Sequence, residues 1–196
     1  MAEVEATQAV RFGRTVVRPV TGDLVDQPVQ AIVYAANSRG VMGAGPAGAV
    51  RQAGGPEIER EAMAAAPFDL GTAIMTGSGR LAGRGLEAVI HAVVAPHLGD
   101  ATELSEVRRA LAAALRAADT RRFRSLAIPL LGSRSEATAA ERAVTVEAIV
   151  EELVAHLRRA DSRLESVLIV SRFDDDLAMI VDSLTRARQR SWTDLA

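Results

Sequence analysis

The stretch from Ala31 to Pro56 constrains the fold more than any other part of the chain. A short apolar run beginning at Ala31 ends at the polar residue Asn37, and four glycines follow within nine residues, at positions 40, 43, 45 and 48. The sequence after Gly45 is compatible with a helix that stops at Gly54-Gly55-Pro56. A strand, a glycine-rich turn and a helix start present backbone N–H groups to phosphates in α/β proteins. The stretch therefore predicts a phosphate- or nucleotide-binding loop.

The composition predicts one soluble globular domain. Of the 196 residues, 48% are hydrophobic and 24% are charged. We expect a flexible N-terminal tail at residues 1–9 and a single domain at residues 10–190. No apolar run approaches the length that spans a bilayer, and the N-terminus has no basic region followed by an apolar one. The cytoplasm is therefore the expected compartment, with no membrane partner.

Two residue types are absent, and their absence excludes several chemistries. The chain has no cysteine, and all 23 basic residues are arginine. Disulfides, thiolate nucleophiles and cysteine zinc sites are excluded, as are a Walker-type phosphate loop and Schiff-base chemistry, which need lysine. The net charge of −2, without a basic patch interleaved with aromatics, does not indicate direct binding of nucleic acid.

The three histidines do not indicate a metal site, and no cofactor is expected. Their spacing does not match the pattern of metal ligands. His91 lies among apolar strand residues, which predicts a buried core residue. His97 is expected in a loop and His156 on a helix surface.

Apolar runs alternate with amphipathic segments along the chain. Strands are predicted at 10–20 (one or two strands), 31–35, 72–76, 88–94, 126–128 and 167–170, and helices at 47–53, 57–66, 105–119, 138–159 and 175–188, with a loop at 77–85. Continuous apolar runs are typical of strands covered on both faces, and the helices carry one apolar stripe with a 3.6-residue period. The alternation predicts an α/β fold, a three-layer α/β/α sandwich with a central mixed, largely parallel sheet.

Four segments that follow predicted strands are expected to line one crevice. Ligands of such sheets bind beyond the carboxyl ends of the strands. The segments are residues 21–24, 37–47, 130–136 and 171–174.

The order of the motifs resembles that of the macrodomains, which bind ADP-ribose and its derivatives. Six segments are similar to the family's motifs and occur in the family's order: VTGDL at 20–24, AIVYAAN at 31–37, MGAGPAGAV at 42–50, AVIHAV at 88–93, LAIPLLG at 126–132 and VLIVSRFD at 167–174. The similarity covers nearly all of residues 20–184. It implies a macrodomain-like fold with a cleft at the carboxyl ends of the strands.

The resemblance also implies the residues of an ADP-ribose site. Asp23 would accept a hydrogen bond from the adenine amino group, the Leu24 N–H would meet the ring, and Phe173 would stack on its face. Considered alone, Asp23 could instead be a helix cap or a turn former, and Phe173 a core residue at a strand end. Asn37 would hold the hydroxyls of the distal ribose; considered alone, it could instead be a turn residue. Two loops would wrap the diphosphate through Gly43, Ala44, Gly45, Pro46, Ala47, Gly132, Ser133 and Arg134.

The sequence departs from the family where catalysis is concerned. Hydrolytic macrodomains commonly carry an acidic residue where this chain has Ala47, which cannot orient a water molecule. The segment PLLGSRSE at 129–136 is more similar to a branch that removes ADP-ribose from acidic residues or nucleobases with a lysine and an acidic residue. Arg51 stands at the lysine position and Glu136 at the acidic position. Because arginine stays protonated, a lysine-nucleophile route is excluded.

Two functions remain open from the sequence alone. The chain binds ADP-ribose or an ADP-ribosylated macromolecule with little turnover, or it is a hydrolase that removes ADP-ribose from a protein or nucleic acid or cleaves an acyl ester of ADP-ribose. In the hydrolase, Asn37 and Glu136 are the candidate catalytic residues and would position the attacking water. A third interpretation is that the altered loops have moved specificity to another nucleotide or emptied the site.

Overall fold

The computed structural model describes residues 9–43, 45–133, 136–159 and 162–193. Residues 1–8 of the expected tail lie outside the described residues. So do Ala44 and Arg134, two of the loop residues that the resemblance assigned to the diphosphate.

The described strands form one seven-stranded sheet. They are β1 (Val10–Phe12), β2 (Thr15–Thr21), β3 (Ala31–Asn37), β4 (Ala73–Gly77), β5 (Ala88–Ala95), β6 (Ser125–Pro129) and β7 (Ser166–Ser171). The order is β1-β2-β7-β6-β3-β5-β4, antiparallel at the β1/β2 and β4/β5 edges and parallel elsewhere. The predicted mixed, largely parallel sheet is confirmed.

Five α-helices flank the sheet in the described residues. They are α1 (Gly45–Gly54), α2 (Pro56–Ala65), α3 (Leu104–Thr120), α4 (Ala139–Leu157) and α5 (Asp175–Thr193). Short 3₁₀ helices occupy Leu24–Asp26 and Gly79–Arg84, so the second lies where the sequence predicted only a loop. Leu81 explains the difference, because its buried side chain packs against the core and organises the glycine-rich segment.

Two apolar clusters, one on each face of the sheet, make the three layers. Val33 belongs to the cluster on the face of the sheet that α3, α4 and α5 cover, together with Leu111 and Ile149. Its neighbour Ile32 belongs to the other cluster, with Val50 of α1. Successive strand residues point to opposite faces, which is why the predicted strands have continuous apolar runs. The predicted α/β/α sandwich is confirmed.

The parallel strands bring four loop segments to one edge of the sheet. Strands β2, β7, β6 and β3 run in the same direction and end at Thr21, Ser171, Pro129 and Asn37. The carboxyl ends of parallel strands share an edge, so the segments that follow them meet there.

The structure confirms the predicted positions of two histidines and contradicts that of the third. His91 is fully buried in β5, as predicted, and His97 is exposed in a loop. The surface placement of His156 was wrong: the side chain is 5% exposed and its Nε2 lies 2.6 Å from Asp119 Oδ2. Hydropathy could not reveal this, because the partner that offsets the desolvation of the ring lies on α3.

None of the helices in the described residues combines the length and hydropathy needed to cross a bilayer.

Candidate functional site

A cleft of about 220 Å³ opens where the strand ends meet. The turn after β2, the start of α1, the loop after β6 and the end of β7 all line it. Among the residues assigned in advance to a ligand, it brings together Asp23, Leu24, Gly45, Pro46, Ser133 and Phe173. The expectation that these four regions line one crevice is confirmed. Met42 and Tyr34 are buried in the core below and do not fill the cleft.

At one end of the cleft, the Asp23 carboxylate has no hydrogen-bond donor or ion-pair partner among the described residues. Asp23 is exposed and precedes the 3₁₀ helix at Leu24–Asp26, but its side chain makes no cap hydrogen bond. Its backbone carbonyl instead accepts from Gln27 Nε2 at 2.8 Å. Leu24 is buried and anchors the turn, and its N–H stands at a helix start, where intrahelical acceptors are lacking. The Asp23 side chain therefore does not cap the helix, whereas its backbone carbonyl does form the turn, accepting from the Asp26 N–H at 3.2 Å.

Phe173 stands at the same end of the cleft and is 40% exposed. The alternative that it is a core residue is thereby excluded. Its backbone N–H donates to Ser171 Oγ at 3.1 Å. A second bond, from Thr21 Oγ1 to Asp174 Oδ1 at 2.7 Å, ties the end of β2 to the segment that carries Phe173. The acceptor at Asp23 and the aromatic ring are therefore held by connected loops.

The glycine-rich loop leads into α1, whose first residues line the cleft. Gly45 has a φ of +66°, a conformation that side chains rarely adopt. Pro46 follows in the first helical turn, where a backbone N–H would have no intrahelical acceptor, so the missing donor costs the helix nothing. A Cβ at Gly48 would lie 2.3 Å from the Gly43 carbonyl oxygen. The loop can therefore contact α1 this closely only because position 48 has no side chain.

Asn37 does not line the cleft. Its side chain is 5% exposed and closes the turn after β3. Nδ2 donates to the Val41 carbonyl at 2.7 Å, while Oδ1 accepts from the N–H groups of Arg39 and Val41 at 3.0 and 3.3 Å. These bonds fix the path of the chain into the glycine-rich loop.

Several other residues assigned from the sequence also lie outside the cleft. Gly43 lines a second cavity of about 670 Å³, which adjoins the cleft at Gly45. Gly132 and Glu136 line a third cavity of about 360 Å³, which adjoins the cleft at Ser133. Ala47 is 8% exposed and packs into the core below the loop.

Arg51 and Glu136, which align with the catalytic pair of the related branch, line separate cavities. Arg51 belongs to the second cavity and Glu136 to the third. Arg51 Nη1 lies 3.1 Å from Glu59 Oε2, and Glu59 Oε1 accepts from the Met42 N–H at 2.7 Å. Arg51 therefore supports the glycine-rich loop through Glu59.

Sequence reasoning missed a buried ion pair in the wall of the cleft, formed by Arg142 of α4 and Asp176 of α5. Arg142 Nε lies 2.7 Å from Asp176 Oδ1, and Asp176 has no exposed surface. Ser171 Oγ donates to the other carboxylate oxygen at 2.5 Å. The guanidinium carbon of Arg142 lies 4.8 Å from the ring centroid of Phe173. One signal was available: the capping box of Thr138 and Glu141 places Arg142 in the first turn of α4, near the sheet edge.

Below the cleft, three polar side chains form a buried, uncharged chain. Tyr34 Oη lies 2.7 Å from His91 Nδ1, and His91 Nε2 lies 2.8 Å from Thr76 Oγ1. Thr76 donates its own proton to the Gly77 carbonyl, so Nε2 carries the proton and Nδ1 accepts from Tyr34. Burial lowers the pKa of His91 to about 4, and burial followed by the charge of Glu59 raises the pKa of Tyr34. Both rings are neutral near pH 7 and serve the packing of β3 against β5.

No group of three or more side chains suited to hold a metal ion occurs within the part of the chain that the structure describes.

A family model for the Macro domain matches residues 33–146. An uncharacterized protein of Aquifex aeolicus is 37% identical over 79% of this chain and 88% of its own length. A protein of Pantoea vagans named O-acetyl-ADP-ribose deacetylase 1 is 29% identical over 77% of this chain and 88% of its own length. Among solved structures, a variant of the Oceanobacillus iheyensis macrodomain with ADPR superposes with a TM-score of 0.78 at 17% identity, covering 92% of this chain and 98% of that one.

The family model spans more than half of the chain, and the fold superposes on that of a solved macrodomain over most of both chains. The chain therefore belongs to the Macro domain family.

Proposed function

We propose that the cleft binds ADP-ribose, either free or attached to a macromolecule. The observation that carries the proposal is the meeting of an uncommitted carboxylate, an exposed aromatic ring and a glycine-initiated helix N-terminus in one cleft at the sheet edge. These are the groups that an aminopurine and a diphosphate need. The similarity to a macrodomain solved with ADPR supports the same ligand.

The base is expected at the end of the cleft that holds Asp23 and Phe173. An ionised carboxylate only accepts hydrogen bonds, so Asp23 suits the amino group of adenine and disfavours the carbonyl oxygen of guanine or hypoxanthine. The exposed ring of Phe173 offers a stacking surface. Base–aromatic stacking contributes about 1–3 kcal/mol.

The diphosphate is expected between the start of α1 and the loop after β6. Pro46 has no N–H, but the other N–H groups in the first turn of α1 have no intrahelical acceptor, and the helix dipole places partial positive charge at Gly45. Ser133 also lines the cleft, and its hydroxyl is expected to donate to the diphosphate. This arrangement accounts for anion binding in a chain that has no lysine. The distal ribose would then extend toward the second or third cavity, which adjoin the cleft at Gly45 and Ser133.

Calorimetric titration with a ligand series tests the proposal. ADP-ribose should bind at one site, more tightly than AMP, ADP or NAD, and more tightly than the hypoxanthine analogue IDP-ribose. Equal affinity for the adenine and hypoxanthine ligands would remove Asp23 from the base contact. If titration with ADP-ribose produces no heat of binding, the proposed function is overturned.

Hydrolysis of ADP-ribose adducts is the second candidate function. The relation to a protein named O-acetyl-ADP-ribose deacetylase supports it. Glu136 is exposed in a cavity beside the cleft and is the better candidate for activating water, because a carboxylate can act as a general base and the amide of Asn37 cannot. Asn37 and Glu136 are the proposed residues that would position the attacking water.

Release of ADP-ribose from acetylated, ester-linked and nucleobase-linked substrates tests the hydrolase. Glu136→Gln should slow release at least about tenfold, since removal of a general base typically costs this much or more. Glu165→Gln is the matched control, because Glu165 is an exposed carboxylate at the start of β7, remote from the cleft. If the unmodified chain releases no ADP-ribose from any of these substrates, the hydrolase is rejected and the binding function stands alone.

A further inference from the structure

We propose that Arg142 is a positioning residue of the cleft: held by Asp176, it fixes the Phe173 ring in the orientation that stacks on the adenine base. The inference rests on the proposed binding of ADP-ribose. It goes beyond that function because it assigns the geometry of the base contact to a residue on α4, distant in sequence from the loop that carries Phe173.

The ring and backbone of Phe173 are held by one closed network of contacts. The Phe173 N–H donates to Ser171 Oγ, and Ser171 Oγ donates to Asp176 Oδ2. Asp176 Oδ1 accepts from Arg142 Nε, and the guanidinium of Arg142 lies over the Phe173 ring, 4.8 Å from its centroid. The network therefore begins and ends at Phe173.

Arg142 is itself fixed by acceptors on two sides. Its side chain is 13% exposed, and Nη1 donates to the Ala137 carbonyl at 2.7 Å in the segment before α4. Asp176, with no exposed surface, fixes the other side of the guanidinium. Arg142 thus links the segment that follows β6, at Ala137, to the first turn of α5, at Asp176, and Asp176 lines the cleft.

The exposure of Phe173 points to a role in binding as well as in packing. A buried ion pair contributes little net stability, because its attraction roughly offsets the desolvation of two charges. Here the pair ends at an aromatic ring that is 40% exposed and lines the cleft. The guanidinium covers one face of the ring, which leaves the exposed part to a planar base. A ring that is already immobilised loses less conformational entropy when the base binds.

A double-mutant cycle tests the inference. Arg142→Gln should weaken ADP-ribose binding about five- to tenfold, which corresponds to the range of cation–π and preorganisation effects. In a Phe173→Leu background, the same change should alter affinity less than twofold, because the ring through which Arg142 acts is gone. Arg108→Gln is the matched control: Arg108 is a half-buried arginine on α3 paired with Glu151 at 2.6 Å, outside the cleft.

Loss of stability must be separated from loss of positioning. Arg142→Gln leaves the buried Asp176 carboxylate unpaired, so the paired variant Arg142→Gln/Asp176→Asn removes the charge as well. This variant should regain melting temperature relative to Arg142→Gln while its affinity for ADP-ribose stays five- to tenfold below that of the original chain. Recovery of affinity together with stability would overturn the positioning role.

The other outcomes of the cycle are equally decisive. If Arg142→Gln lowers affinity by the same factor in the original chain and in the Phe173→Leu variant, Arg142 contacts the ligand directly, and the positioning role is overturned. Unchanged affinity in Arg142→Gln, with binding weakened by Phe173→Leu, would overturn the inference but leave the proposed function intact. If the original chain does not bind ADP-ribose, the proposed function fails first.

Discussion

Thr21 Oγ1 donates a hydrogen bond to Asp174 Oδ1 across 2.7 Å and so joins the two loops that form the base end of the cleft. One loop carries Asp23 and the other carries Phe173. Their relative position sets the distance between the hydrogen-bond acceptor and the stacking surface. This bond belongs to the site although neither partner is expected to touch the ligand.

Thr21→Val should weaken ADP-ribose binding about threefold to tenfold and lower the melting temperature by no more than the loss of one exposed hydrogen bond does in the control variant. Valine keeps the shape of threonine and removes the hydrogen bond, which contributes about 0.5–1.5 kcal/mol to the position of the loops. Calorimetry and thermal unfolding measure the two quantities. Thr120→Val, which removes an exposed hydroxyl bonded to the Arg116 carbonyl at the end of α3, should leave affinity unchanged. Equal losses in both variants would exclude a role for the Thr21–Asp174 bond in the site.

Asp23→Ala should weaken ADP-ribose binding by about 1–3 kcal/mol, the cost of a lost hydrogen bond to a charged group. Stability should be nearly unaffected, because the carboxylate is exposed and makes no cap bond. Asp26→Ala is the matched control, three residues away, where the carboxylate pairs at 2.8 Å with Arg84. Unchanged affinity in Asp23→Ala would reject the placement of the base at this end of the cleft.

Gly45→Glu should abolish ADP-ribose binding without unfolding the domain. The substitution places a negative side chain at the start of α1, where the diphosphate is expected, and the open space around the position tolerates its Cβ. Gly13→Glu is a close control because Gly13 also has a positive φ, +56° against +66°, and also has open space around it. Both variants should therefore lose a similar amount of stability to backbone strain, about 1 kcal/mol. Retained binding in a folded Gly45→Glu variant would reject the loop assignment.

His91 should make the stability of the domain fall as the pH drops below about 6.5. Burial lowers its folded pKa to about 4 from an ordinary value of 6.5. Between these values the unfolded chain binds a proton that the folded chain does not, so stability present above pH 6.5 is lost as the pH approaches 4. The loss attributable to this group is on the order of 2–3 kcal/mol.

Urea unfolding at pH 7.5 and pH 5, compared with His91→Gln, measures this contribution. The variant should lose less stability than the original chain over this range, because glutamine keeps hydrogen-bonding capacity but does not titrate. His97→Gln, at an exposed position, should behave like the original chain. An equal loss in the original chain and His91→Gln would show that groups other than His91 account for the acid sensitivity.

The fold was largely predictable because local patterns determined it. The apolar run beginning at Ala88 predicted a strand buried on both faces, and all eight residues of β5 are buried. The period of α3 predicted the buried positions Val107, Leu111 and Leu115. The 3₁₀ helix at Gly79–Arg84 was not predictable in this way, since its glycines favour a loop and its order depends on the burial of one leucine.

The site was predictable only where a motif lies within one loop. The turn at Asp23, the start of α1 and the end of β7 each have a local signature, and parallel strands bring them to one edge. The Arg142–Asp176 pair joins residues 34 positions apart on separate helices, so no local pattern marks it. Asn37 was assigned to the ligand because its position matches the family motif, whereas the hydrogen bonds that hold it in a turn depend on the path of the following loop.

A crystal structure of the chain with ADP-ribose tests the central claim most directly. We expect the adenine amino group within hydrogen-bond distance of the Asp23 carboxylate, the base against the Phe173 ring, and the diphosphate between the N-terminus of α1 and Ser133. Electron density for the ligand outside this cleft, or a diphosphate that makes no contact with the start of α1, would contradict the account.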